Sequence, residues 1–358
     1  MKNMAKSLSI DLSFSFAESF IFRYILIQNT SLHKCILVLK LTYMGPIESL
    51  FTVLGSFVGL YLIYCIIGGL CFFMSTFKRK KSDVYGVAPN DNATEQKKMR
   101  YEARKKEIDQ LETLPCQQME IESFDGTRLV GRLYRAEKTD GERRLVICVH
   151  GYLSNGRRCY GGFVPVLNDI GLDALLVDDR AHGDSEGKFT GFTVLDRIDV
   201  KCWIEKMREN YDKIYLFGNS MGASTVGLVA ADMPEISGLI FDCGFTDPMS
   251  AFRTRAKGKM PIILSEPVFF FGRMWCKMIL GFDYKKVSTL EEMKKVQCPV
   301  LFIQGGDDHI VPKEMAEKLF DACGSESKRL EIFEEAEHSA SFYVDRERYV
   351  ALLKEFFN

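Results

Sequence analysis

The sequence predicts an α/β protein: a mainly parallel sheet with helices on both faces and a helical cap insertion, preceded by one transmembrane helix. Three observations carry this reading. From residue 144 to the C-terminus, continuous apolar runs of strand length alternate with amphipathic stretches, the pattern of parallel strands buried on both faces. About fifty residues near 246–296 break that alternation without a strand pattern. Upstream, the 25 residues from Leu50 to Met74 contain no charge.

The elements follow in chain order. Residues 1–49 form an N-terminal extension. Within it, "CILVLKLTYM" is short and interrupted by Lys40, and the stretch from Phe14 to Ile27 carries Glu18 and Arg23, so neither reads as a span. Met44 opens a sensible start of its own, so the native start is either Met1 or Met44. As a helix, Leu50–Met74 would be about 37 Å long at about 1.5 Å per residue, enough for a bilayer core of about 30 Å. It is too long for a signal peptide, and no small-x-small cleavage pattern follows it. Gly55 and Gly59 form one GxxxG, a pattern that can mark helix pairing but more often belongs simply to a glycine-rich membrane helix. Residues 75–115 read as a charged juxtamembrane linker with a helix from about Ala93 to Leu111. The folded domain is expected from Cys116 to Asn358.

That domain opens with "CQQMEIESFDGTRLVGRLYRA", alternating strands around Asp125-Gly126, a hairpin signal. Six apolar strands follow: "RLVICVH", "DALLVDD", "KIYLFG", "GLIFDC", "PVLFIQG" and "KRLEIFEEAEH". Amphipathic helices are expected at Val194–Arg208, Ala223–Asp232, Pro312–Ala322 and Phe342–Phe357. Sites in such sheets form at the carboxyl ends of strands. His150, Asp179, Ser220, Asp242, Asp308 and His338 all follow predicted strands, so they should converge on one edge.

"KIYLFGNSMGAS" places Ser220 between Gly218 and Gly222 where a strand turns into a helix. Such an elbow exposes the serine hydroxyl and aims the next backbone N–H groups at the same place. A serine nucleophile needs a base, and the base an orienting acid. His338 lies between the last strand and the last helix. His309 competes but should point away; His150 and His182 precede the serine. Among the acids, Asp308 opens Asp-x-x-Val-Pro, Asp307 reads as a turn or cap residue, and Asp242 as a brace. The histidines show no HxH or HxxxH spacing.

Residues 116–358 resemble an α/β-hydrolase of the branch that holds serine aminopeptidase-like lipases, esterases and thioesterases. "VHGYLSN", "DDRAHGDSEG", "GNSMGA", "GGDDHIVP" and "EHSAS" occur in the order of that family, which runs serine, acid, histidine. The resemblance implies Ser220, Asp308 and His338 as the triad, and the backbone N–H groups of Tyr152 and Met221 as the oxyanion hole. Asn219, where the family more often has histidine, should not affect the chemistry. The insertion at about 246–296 would be a helical lid, with Phe269, Phe270, Phe271, Trp275 and Met278 either lining an apolar substrate pocket or packing the lid.

The expected activity is that of a membrane-anchored serine hydrolase acting on carboxylic esters or thioesters of a small-molecule or lipid-like substrate, with no cofactor and no metal. A peptidase removing N-terminal residues is the alternative within the fold; it would need an acidic subsite, for which Glu266 is a poor lone candidate. A silent binding scaffold is the alternative of another class. A net charge of −1 on 358 residues gives no electrostatic case for nucleic acid. The eleven cysteines show no CxxC pair, and Cys148 and Cys243 read as small buried hydrophobes, pointing to a reducing compartment. Lys78, Arg79, Lys80 and Lys81 follow the span, whereas only Lys34 and Lys40 precede it closely. The hydrolase domain is therefore expected to face the cytoplasm.

Overall fold

The computed structural model describes residues 45–80, 83–137 and 141–358. The candidate start at Met44 and the apolar runs before it lie outside the described residues. The chain divides into two compact units. One comprises Phe77–Lys257 with Tyr284–Asn358; the other comprises the chain up to Thr76 with Gly258–Asp283.

The larger unit is built on one eight-stranded sheet. Its strands are β1 (Gln117–Glu122), β2 (Arg128–Tyr134), β3 (Arg144–Val149), β4 (Leu172–Val177), β5 (Lys213–Asn219), β6 (Gly238–Asp242), β7 (Val300–Gly305) and β8 (Lys328–Phe333). Their spatial order is β1-β2-β4-β3-β5-β6-β7-β8. β1 and β2 are antiparallel to their neighbours, and β4 through β8 run parallel with β3. All eight predicted strands are present. β3 shows why its sequence is apolar throughout. Leu145, Ile147 and Val149 enter one core, while Val146 and Cys148 enter the core on the opposite face.

Eight helices longer than six residues occur among the described residues: α1 (Pro46–Phe77), α2 (Glu95–Leu111), α3 (Asp196–Met207), α4 (Met221–Asp232), α5 (Pro248–Ala256), α6 (Ile262–Leu280), α7 (Lys313–Ala322) and α8 (Arg346–Phe357). α3, α4, α7 and α8 are the four amphipathic stretches of the sequence.

The larger unit begins at Phe77, well before Cys116. Phe77 is fully buried among Phe192, Phe252 and Tyr284, with ring centroids 5.7, 6.4 and 5.8 Å away. The next residues pair with a loop of the body: Thr190 N–H donates to Phe77 O at 2.8 Å and Arg79 N–H to Lys188 O at 2.8 Å. α2 also belongs to this unit. Its polar composition reads as a linker because only Glu107, Ile108 and Leu111 are buried. Those three suffice to seat it: Glu107 pairs with Arg346 at 2.9 Å and accepts from Tyr343 Oη at 2.9 Å. The insertion at 246–296 is likewise divided between the two units. α5 and the turn at Thr289–Met293 stay in the larger unit, and only Gly258–Asp283 leaves it.

The second unit is a pair of helices. α1 has a mean hydropathy of 2.3 over its most apolar 18 residues, of which 17% are buried; by length and composition it can cross a membrane. α6 crosses it at two glycines. A Cβ on Gly69 would lie 2.7 Å from Gly272 N, and a Cβ on Gly272 only 2.5 Å from the Phe72 ring. Gly55 and Gly59, the glycines of the GxxxG, have nothing within 4 Å. Tyr61 Oη donates to Ile263 O at 2.5 Å and Trp275 Nε1 to Ile66 O at 3.3 Å.

Candidate active site

β5 ends at Asn219, and α4 starts at Met221 with no residue to spare. The turn between them is Ser220, at φ 55° and ψ −115°. Positive φ is uncommon outside glycine and costs on the order of 1–3 kcal/mol, so the surroundings must hold it. Ser220 N–H donates to Asp242 O at 2.8 Å, and Tyr160 Oη ties Val149 O to Phe217 O at 2.8 and 2.9 Å. The glycines explain themselves by close approach. A Cβ on Gly222 would lie 1.9 Å from Val149 O, and one on Gly218 2.4 Å from Ala223 Cα.

The structure brings Ser220, His338 and Asp308 together from three strand ends. Ser220 Oγ lies 2.8 Å from His338 Nε2. His338 Nδ1 lies 2.6 Å from Asp308 Oδ2. Asp308 is buried, and its other oxygen, Oδ1, accepts the Ile310 and Val311 N–H groups, both at 2.8 Å. Gln304 Nε2 also donates to Oδ2, at 3.2 Å. The Asp-x-x-Val-Pro turn is therefore wound around its own carboxylate, which is fixed in orientation. With Asp308 accepting at Nδ1, the proton sits there and Nε2 is left to accept from the serine hydroxyl.

The other predicted residues separate cleanly. His309 is exposed and pairs with Asp307 at 3.1 Å. His150 Nδ1 donates to Gly151 O at 2.8 Å and its Nε2 accepts from Asp179 N–H at 3.1 Å; His182 is held by Arg180 O and Leu153 N–H in the same way. Burial pushes the imidazole of His182 down to about 3. Both are neutral braces of the loop that carries Tyr152. That loop lies against the elbow, since a Cβ on Gly151 would be 3.3 Å from Ser220 Cβ. Met221 is the first residue of α4.

Asp242 does not reach the imidazole. It accepts from Asn219 Nδ2 at 3.1 Å and Tyr349 Oη at 3.0 Å, and burial pushes its carboxyl up to about 6. Asn219, expected to be neutral, is thus part of a chain: its Oδ1 accepts from Ser339 Oγ at 3.0 Å. That bond links the residue before the serine to the residue after the histidine. Cys243 Sγ joins at 3.3 Å from Ser339 Oγ. The donor atoms of Cys243, Asp308 and His338 lie within 4.8 Å of one another, a spacing that could hold a metal ion. They fit one poorly: Asp308 is filled by N–H donors, and burial keeps the Cys243 thiol well above its ordinary pKa. Sequence reasoning missed Ser339 and Tyr349, and the one available signal was their nearness in sequence to His338.

Of the predicted pocket residues, all lie on α6 in the second unit. Phe269 packs on Phe72 at 5.1 Å, Phe271 on Gly69, and Trp275 on Ile66, while Phe270 and Met278 are 54% and 67% exposed. The contacts give Phe269, Phe271 and Trp275 a packing role on α1, where the sequence left open a pocket-lining role.

Comparison with known proteins bears on the same residues. The profile of the serine aminopeptidase S33 family matches residues 140–265 and 272–342. The uncharacterized protein YqkD of Bacillus subtilis is 29% identical over 232 residues, covering 62% of this chain and 73% of its own. Human monoglyceride lipase is 27% identical over 266 residues, covering 63% of this chain and 85% of its own. Among solved structures, the Pyrococcus furiosus esterase Pf2001 superposes with a TM-score of 0.57 at 22% identity, over 78% of this chain and 97% of its own. That likeness shows the α/β-hydrolase fold.

Proposed function

Because the chain belongs to the serine aminopeptidase S33 family of hydrolases, we propose that it is a membrane-anchored serine hydrolase that cleaves carboxylic ester or thioester bonds through an acyl-enzyme. The observation that carries this is the continuous relay from Ser220 Oγ through His338 to Asp308, at 2.8 and 2.6 Å, on a strained elbow.

In this reading Ser220 Oγ attacks the carbonyl carbon while its proton passes to His338 Nε2. Asp308 holds the Nδ1–H and stabilises the imidazolium that forms. The carbonyl electrons move onto oxygen, and the N–H groups of Tyr152 and Met221 receive that oxyanion at the start of α4. Collapse of the tetrahedral adduct expels the alkoxide or thiolate, which takes the proton from Nε2. Water then enters, gives its proton to Nε2 and attacks the acyl-serine. Expulsion of Ser220 Oγ, with the proton returned, releases the acid.

Esters are favoured over peptides by the resemblance to a monoglyceride lipase. Anchoring rests on α1, whose apolar side chains Phe51, Phe57, Val58 and Ile63 are half or more exposed. Water does not tolerate such a face, and a bilayer does.

The test uses the full chain in membranes, a fluorophosphonate probe and p-nitrophenyl esters of rising chain length beside aminoacyl anilides. Labelling and ester turnover are expected in the native chain and absent in Ser220→Ala. Labelling that survives at another serine refutes the assignment, and faster turnover of the anilides moves the activity to a peptidase.

A further inference from the structure

α2 lies ahead of everything the family profile matches, yet its side chains reach the loop that carries His338. Gln96 grips that loop by both ends of its amide: Nε2 donates to Glu335 O at 2.6 Å, and Oε1 accepts from Glu337 N–H at 3.0 Å. One turn further on, the Arg100 guanidinium donates to the carbonyl oxygen of His338 itself. Lys97 lies 3.9 Å from the Glu337 carboxylate. Another turn along, Arg104 Nε donates to Tyr343 Oη at 3.3 Å, and Glu107 accepts from Tyr343 and pairs with Arg346. Residues 96, 100, 104 and 107 are spaced to lie on one helical face, and that face is applied to the segment 335–346.

The loop needs such a hold. Its opposite side is fixed by Asp307 N–H donating to Ala336 O at 3.1 Å, and Ser339, next to the histidine, sits at φ 56°. A non-glycine residue in that region persists only where its surroundings hold it. Arg100 is committed to the contact: burial, with Arg104 beside it, holds its guanidinium down at about 10. The half-buried guanidinium would lose this partner with the contact.

We propose that α2 is a positioning element for catalysis, in which Gln96 and Arg100 clamp the backbone of residues 335–338 and so hold the His338 imidazole in line between Ser220 and Asp308. This rests on His338 being the base. The imidazole is carried on a loop, and a displacement of about 1 Å at a catalytic group can cost about 100-fold. Neither residue touches the reacting atoms.

The experiment measures ester turnover and fluorophosphonate labelling of the full chain in membranes for Gln96→Ala, Arg100→Ala and Arg100→Lys, with His338→Ala and a change at an exposed residue of α2, Glu102→Ala, as controls. The final labelled fraction counts folded enzyme, and the labelling rate reads its competence. Gln96→Ala and Arg100→Ala are expected to lower kcat and the labelling rate about tenfold or more, with KM within twofold and the final labelled fraction unchanged. Arg100→Lys, which keeps a donor for the carbonyl, is expected to recover part of the rate. A Gln96→Ala chain with native kcat and labelling rate overturns the proposal, as does a fall in labelled fraction at native rate, which is a purely structural effect. If His338→Ala stays active, the assignment of the base has failed instead.

Discussion

Asp242 ends β6 and Asp308 follows its neighbour β7, yet only Asp308 touches the imidazole. Asp308→Asn would leave the turn's N–H donors in place while presenting an amide to Nδ1, favouring the wrong tautomer. A loss of about 10⁴-fold in kcat is expected, the usual scale for a triad acid, against less than about tenfold for Asp242→Asn; equal losses would move the acid to β6. Asp242 carries a second expectation. Among the described residues its Oδ1 has no hydrogen-bond partner, and burial raises the carboxyl from about 4 to about 6. The folded state therefore binds this proton more tightly than the unfolded one, so its contribution to stability is full below about pH 4 and is lost as the pH rises to about 6. Asp242→Asn should gain on the native chain across that window, by up to about 3 kcal/mol for two pKa units, as read by chemical unfolding at successive pH values. A difference that stays flat with pH would exclude it. The convergence of Ser220, Asp308 and His338 was legible because each follows a strand in a recognisable order. The bond from Ser339 to Asn219 was not, since it joins residues 120 positions apart through side-chain directions that no spacing encodes.

At the scale of elements, the strands were legible from their apolar runs and the helices less evenly so. α2 was placed in sequence within two residues of its start, Glu95, but assigned to a linker, because a helix seated by three buried side chains and a row of polar contacts has no apolar stripe to announce it. The glycines of α1 that meet a neighbour were not legible, for a related reason. A GxxxG marks small side chains, while pairing depends on which face meets a neighbour, and that face holds Gly68 and Gly69. Gly69→Leu should force α1 and α6 apart, an overpacking cost of about 1–3 kcal/mol, visible as a lower melting temperature. Gly59→Leu, with nothing within 4 Å, should leave the transition where it is. Equal effects at both positions would show that the crossing does not contribute to stability.

At the scale of the whole molecule, the basic residues Lys78, Arg79 and Lys80 stand immediately after α1, which orients the larger unit toward the cytoplasm in the reading proposed here. Alkaline phosphatase fused after residue 358, active only when exported, should be silent in intact cells; strong activity would reverse the orientation. The two-unit division has a practical consequence as well. The chain passes between the units three times, at residues 76/77, 257/258 and 283/284. A truncation that starts at Phe77 would thus remove α1 but keep α6, tethered at both ends and stripped of the surface on which Val268, Phe269 and Phe271 rest. Such a fragment should aggregate or stay with the lipid pellet on centrifugation. A soluble enzyme calls for a second excision, of residues 258–283. The gap is small: Phe252, five residues before the cut, and Tyr284, just after it, already touch with ring centroids 5.3 Å apart. A short glycine-rich bridge from Lys257 to Tyr284 should therefore yield a protein that remains in the supernatant, where the singly truncated one does not.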